Sequence, residues 1–134
     1  MKIEDKVAVV VVNPKGDLLI LKRSSGMKEY PNLWNLPSGG VKDAEGLSDA
    51  ARRETFEETG LEISNLRNGI ITRIKNGSTT YLINYFLSET QDSQVTINSE
   101  SSEYKWVTPK ESLDYQFAVS RQEVEKILKE FGLV

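Results

Sequence analysis

The chain carries the acidic run Arg53-Glu54-Thr55-Phe56-Glu57-Glu58-Thr59-Gly60. It closes a segment, from about Leu47 to Thr59, that is rich in Ala, Glu and Arg and therefore helix-forming. Gly60 stands where a helix stops, because glycine tolerates the left-handed conformation that ends it. Placing Glu54 at zero and stepping about 100° per residue brings Glu57 and Glu58 within about 60° of it. Leu47, Ala50 and Ala51 fall in the same sector, and Asp49, Arg52 and Phe56 fall opposite. An acidic helix face is ordinarily solvated. These carboxylates instead share a face with the small apolar residues.

Three partly buried carboxylates within one turn repel one another and lose hydration. A divalent cation removes that objection, since clustered carboxylates are the hard oxygen ligands that Mg²⁺ or Mn²⁺ selects. Arg53 and Glu57 are spaced i, i+4, so the arginine can brace one carboxylate.

Outward from this helix the chain reads as strands. Val7 to Val12 is an unbroken aliphatic run, suited to a strand buried on both faces. The turn residues Asn13-Pro14-Lys15-Gly16-Asp17 lead into Leu18 to Arg23, so the two runs are expected to form a hairpin. Trp34-Asn35-Leu36 is a short strand stopped by Pro37 and a Ser38-Gly39-Gly40 bend. Gly69 to Ile74 and Thr79 to Leu87 flank Asn76-Gly77, a strong hairpin signal. Ser102 to Val107 is a further strand, and Pro109 to Leu113 is one helical turn. From about Ser120 to Phe131, Val124, Ile127, Leu128 and Phe131 repeat at i, i+3, i+4, i+7, the mark of an amphipathic helix. The expectation is one α+β domain over residues 1–134, an α/β/α sandwich around a mixed β-sheet.

Composition narrows the chemistry. The chain has no cysteine and no histidine. Disulfides, thiolate nucleophiles, His-ligated zinc and Ser-His-Asp triads are excluded, and acid–base work falls to carboxylates, lysine or tyrosine. The absence of cysteine is compatible with a reducing compartment, and a cytoplasmic location is expected. A net charge of −3 gives no electrostatic reason to expect a nucleic-acid duplex as partner. The longest aliphatic run is too short to span a membrane.

The spacing now becomes specific. Gly39, five residues, Glu45, seven residues, then Arg53-Glu54-Thr55-Phe56-Glu57-Glu58-Thr59-Gly60-Leu61 closely resembles the Nudix box, which here occupies residues 39–61. Every glycine, glutamate and arginine of that motif is present at the required spacing. Thr55 departs from it by standing in an aliphatic slot, where its methyl group can still pack. Trp34-Asn35-Leu36-Pro37 looks like the family's lead-in to the box.

The resemblance implies hydrolysis of a nucleoside diphosphate linked to another moiety, with Mg²⁺ as cofactor and Mn²⁺ as a substitute. It implies that Glu54, Glu57 and Glu58 ligate metal together with the Ser38 backbone carbonyl. Glu54 also matches the position that acts as, or positions, the general base, with Arg53 orienting the glutamates. Gly39 lets the loop pass close to the site. Glu45 braces the loop or reaches a metal through water; alternatively it stabilises the helix N-terminus by its charge. Arg23 matches a phosphate-binding arginine of triphosphate-hydrolysing relatives. An additional late acid is expected at Glu103, with Glu100 as the competing candidate. Trp106 and Tyr81 are aromatic residues able to stack on a base, and both also suit a core or sheet-face position.

Markers of particular subfamilies are absent. No proline occurs between Pro37 and Pro109, where ADP-ribose hydrolases tend to carry one, and the arrays of NADH and coenzyme A hydrolases are missing. The catalytic cysteine of the isopentenyl-diphosphate isomerase branch is missing as well. What remains is a MutT-like nucleoside triphosphate pyrophosphatase releasing a monophosphate and pyrophosphate, with a small nucleoside di- or triphosphate as the expected partner. The competing reading is a non-catalytic Nudix domain that binds a nucleotide as a regulatory module. The family also leaves a homodimer open.

Overall fold

The computed structural model describes residues 1–134. Strand β1 (Lys2–Val12) is the spine of a mixed sheet. Its odd residues Val7, Val9 and Val11 enter one hydrophobic cluster, and its even residues Ala8 and Val10 enter the other. This two-sided burial is why the run is continuously aliphatic rather than alternating. Strand β2 (Leu18–Arg23) repeats the division, with Leu19 and Leu21 on one side and Leu18 and Ile20 on the other. Each such side chain contributes about 1.5–3 kcal/mol by leaving water.

The expected hairpin between these runs is brief. β1 and β2 are in register only at Val12↔Leu18 and then diverge. Into the gap comes the segment Trp34–Gly40. Strand β3 (Trp34–Asn35) pairs with β2, and strand β4 (Ser38–Gly40) pairs with β1 through Lys6↔Gly40, Val7↔Gly39 and Ala8↔Ser38. The Ser38-Gly39-Gly40 stretch is therefore a strand and not the bend expected from its glycines. Exposed backbone groups on β1 need partners, and this segment supplies them. The Val9 N–H also donates to the Pro37 carbonyl at 2.9 Å.

Helix α1 (Leu47–Thr59) follows and covers one face. Gly60 ends it at φ 73°, its N–H donating to the Phe56 carbonyl. Strand β5 (Ser64–Asn76) runs further than its aliphatic pattern indicated and turns into strand β6 (Thr79–Glu89). Gly77, at φ 63°, is the first of two turn residues, the place where a type II′ hairpin requires glycine. β6 lies parallel to β1 in an unbroken register from Lys2↔Thr79 to Val12↔Glu89. Such a parallel pair needs a long crossover, here everything from β2 to β5. Strand β7 (Ser101–Val107) closes on β2, and the single turn α2 (Pro109–Ser112) carries a capping box between Thr108 and Glu111. Helix α3 (Arg121–Glu130), capped by Ser120, lays Val124, Ile127 and Leu128 on the second face. The sheet order is β3-β2-β1-β6-β5, with one helix on each face, so the expected α/β/α arrangement is present. No helix is long and apolar enough to cross a membrane.

The buried face of α1 consists of Ala50, Ala51, Thr55 and Thr59. Its centre lies about 60° round from Glu54, toward Thr55. Thr55, the residue in the aliphatic slot, is completely buried, and its hydroxyl has no partner. Phe56 points outward and is 56% exposed. An unpartnered buried hydroxyl costs more than it returns, so Thr55→Val is expected to stabilise the fold by about 1 kcal/mol. Thermal unfolding is then expected about 3–5 °C higher. A lower Tm would mean that the hydroxyl has a partner.

Candidate functional site

The splayed strands and α1 together build the site. β4 carries Gly39 directly beneath Glu54. A Cβ added to Gly39 would lie 2.1 Å from the Glu54 carboxyl, so only glycine admits this approach. One turn further along the helix, the Ser38 N–H donates to Glu58 Oε1 at 3.3 Å. Glu54 and Glu58, one helical turn apart on α1, both face this strand. Burial, first, and then a hydrogen bond with Glu54 push the Glu58 carboxyl well above the ordinary carboxylate range, and the charges of Glu54 and Glu100 add to the effect.

Glu57 behaves differently. Its side chain is 51% exposed, and it turns toward Arg53, whose Nη1 lies 3.3 Å away. The wheel centred on Glu54 placed Glu57 among the buried residues. The true centre, nearer Thr55, leaves Glu57 at the rim. No three acidic side chains converge on one ion-sized point.

Arg53 is the hub. Its Nε and Nη2 donate to the two oxygens of Glu45 at 2.8 and 2.9 Å, a two-pronged pairing that suits a planar guanidinium. Its Nη1 donates to Glu54 Oε1 at 2.7 Å, and its Nη2 also donates to the Gly40 carbonyl at 2.9 Å. Arg53 thus ties helix, loop and β4 together, well beyond the single i, i+4 brace expected. Glu45 accepts in addition from the Lys42 N–H at 2.9 Å. Of the roles open to Glu45, the structure shows it bracing the loop through Arg53.

Arg23 ends β2 at the mouth of a cleft of about 370 Å³ that runs between the sheet and α3. Leu36, Ile83, Tyr85, Phe117 and Val119 give the cleft an apolar lining. Arg23 Nε donates to the Glu29 carbonyl at 2.9 Å, which steadies the loop after β2. A smaller polar recess adjoins the cleft and is lined by Arg23, Asn35, Ser38, Glu58, Glu100 and Ser101. Of the two late acids, Glu100 lines this recess. Glu103 is drawn away by β7, which places it opposite Lys22 with the two charges 3.9 Å apart. Trp106 donates its indole N–H to the Ser93 carbonyl, and Tyr81 lies under Lys6 with its ring 4.9 Å from the ammonium. Neither lines the cleft. The aromatic residues that do include Tyr30, Trp34, Tyr85 and Phe117.

Glu54, Glu58 and the Ser38 backbone are hard oxygen donors, and the absence of a Cβ on Gly39 leaves room beside them. The donor set suits a small divalent cation.

The NUDIX domain model matches residues 2–129. The chain belongs to the NUDIX family. This NUDIX chain is 34% identical over 117 residues to the nucleoside triphosphatase NudI of Enterobacter, covering 78% of its own length and 81% of the relative's. It is 34% identical over 102 residues to a putative 8-oxo-dGTP diphosphatase of Bacillus subtilis, covering 75% of itself and 64% of that protein. Among solved structures it superposes on a MutT protein from Methanosarcina mazei with a TM-score of 0.82 at 25% identity, over 97% of this chain and 96% of that one. The chain spans less than two thirds of the length of the first curated relatives it matches.

Asn98 escaped the reading of the sequence. Its side chain touches both α1 and the backbone of Glu100. The signal was an Asn two residues before an acid in a loop, which has no weight until the loop is docked.

The Arg53 pairing gives a pH signature. Its hydrogen bonds, followed by that from Lys42, lower the Glu45 carboxyl from 4.5 to about 2. A depressed carboxylate contributes stability above its unfolded value and loses it as pH falls through the folded one. Glu45→Gln is therefore expected to be less stable than wild type at neutral pH. The gap is expected to shrink below about pH 4.5 and to close near pH 2 in urea titrations. A gap independent of pH would show that Glu45 stabilises by something other than its charge.

Proposed function

We propose that this chain is a Mg²⁺-dependent pyrophosphohydrolase that cleaves nucleoside triphosphates to a monophosphate and pyrophosphate. The observation that carries the reading is the juxtaposition of two chemistries. A polar recess containing Glu58, Glu100 and Arg23 opens beside an apolar cleft of nucleoside size. The names of the Enterobacter and Bacillus relatives, a nucleoside triphosphatase and a putative 8-oxo-dGTP diphosphatase, support that substrate class. The absence of cysteine agrees with a cytoplasmic setting.

Glu54 and Glu58, with the Ser38 carbonyl, are the residues that would hold the cation, and Glu57 at the rim would complete the set. When bound, the cation neutralises phosphate charge and acts as a Lewis acid. Arg53 orients Glu54 by engaging one carboxylate oxygen with its guanidinium. In this reading Glu54 or Glu100 receives the proton of the attacking water. Arg23 offers a guanidinium to phosphate oxygens at the mouth of the cleft. Leu36, Phe117 and Val119 take the base and exclude water around it.

The first experiment is hydrolysis of a panel with Mg²⁺: normal and oxidised nucleoside triphosphates, ADP-ribose, dinucleoside polyphosphates and nucleotide sugars. Pyrophosphate and a monophosphate from triphosphates, with about 10²–10⁴-fold loss of kcat in Glu54→Gln and Glu58→Gln, are expected from removal of acid–base and metal-holding groups. Wild-type rates in a folded Glu58→Gln protein would remove it from the site. Arg23→Ala is expected to raise KM for triphosphates about tenfold or more while leaving Mn²⁺ affinity unchanged. Gly39→Ala makes a subtler test. The intruding methyl meets the flexible end of Glu54 rather than backbone, so the fold survives with a loss of about 1 kcal/mol or less. Displacing Glu54 is expected to weaken Mn²⁺ binding, read by electron paramagnetic resonance, and unchanged Mn²⁺ affinity would sink the cradle interpretation.

A further inference from the structure

Glu100 is exposed, so the anchoring of its backbone sets where its carboxylate can reach. That anchoring comes from both sides. Asn98 Oδ1 accepts from the Glu100 N–H at 3.0 Å, while Asn98 Nδ2 donates to the Glu57 carbonyl at 3.2 Å. Glu57 lies in the last turn of α1, where carbonyls lack partners within the helix. The Thr59 carbonyl, in the same turn, accepts from the Thr96 N–H at 2.9 Å. On the opposite side, Ser24 follows Arg23 at the end of β2. Its N–H donates to the Glu100 carbonyl at 2.9 Å, and its Oγ donates to the Ser99 carbonyl at 2.8 Å. The segment 98–100 is thus suspended between the helix that carries Glu54 and Glu58 and the strand end that carries Arg23.

We propose that Asn98 is a positioning residue that holds Glu100 against the Glu58 end of α1. The proposal rests on the hydrolase reading above and adds a component to it. Asparagine suits the task because one planar amide offers a donor and an acceptor at fixed separation. The donor caps the catalytic helix, and the acceptor fixes the acid's own N–H. Alanine supplies neither. Aspartate supplies only the acceptor and sets a negative charge against the negative end of the helix dipole.

The test is a double-mutant cycle of Asn98→Ala and Glu100→Ala, run beside wild type and Glu54→Gln. If Asn98 acts through Glu100, Asn98→Ala lowers kcat about tenfold with KM within about twofold of wild type, and it lowers kcat less than about twofold further when Glu100 is already alanine. Asn98→Asp is expected to fall with the alanine variant. Unchanged kcat in Asn98→Ala, or losses that simply multiply in the double variant, would overturn the proposal and leave Asn98 as a helix cap. Amide hydrogen exchange at Glu100 reads the same clamp without turnover. Asn98→Ala is expected to speed that exchange about tenfold or more while amides of β1 stay protected; unchanged exchange at Glu100 overturns the proposal. Wild-type protein that hydrolyses nothing would defeat the proposed function, and the exchange result would still decide for or against the clamp.

Discussion

Everything at this site depends on one guanidinium. Arg53 donates at once to Glu45, Glu54, Glu57 and the Gly40 carbonyl. Without a cation of that shape the acidic face of α1 and the loop before it would repel each other. With it, loop, strand and helix become one rigid piece. Lysine would bring the charge but not the fork, because an ammonium cannot pair two oxygens in one plane while reaching a third and fourth acceptor. The hydrogen bond from Arg53 Nη1 also fixes the direction of the Glu54 carboxylate.

The second constraint is the parting of β1 and β2. They share one register position before Trp34–Gly40 enters between them. That insertion spends a stretch of sheet pairing on positioning. It brings Gly39 under Glu54, sets Ser38 against Glu58, and opens the cleft on the other face, where Asn35 and Leu36 reach the lining. The same strand therefore serves the polar recess on one side and the apolar cleft on the other, which places triphosphate and base at a fixed separation in the proposed reaction.

The late loop completes the recess from a distance in sequence. Glu100, Arg23 and Glu58 come from three elements and meet because β7 returns to β2 and because the loop before it is sewn to the end of α1. Glu103 has the same chemistry and a neighbouring number. Pairing with β2 commits it to Lys22 instead.

Local patterns reached far into this protein. The continuous aliphatic runs named β1 and β2, the Ala-, Glu- and Arg-rich segment bounded by Gly60 named α1 to the residue, and the i, i+3, i+4, i+7 repeat named α3, because each reports a short-range periodicity that burial enforces. The box spacing singled out Gly39, Arg53, Glu54, Glu57 and Glu58, and strand β4 and helix α1 carry all of them. The tertiary structure alone decided the rest. It rotated the buried face of α1 toward Thr55 and so exposed Glu57, it made a strand of Ser38–Gly40 by offering it β1, and it set Glu100 rather than Glu103 in the lining of the recess. Those outcomes depend on which backbone donors and acceptors lie alongside in space, and neighbours in space are not neighbours in the chain.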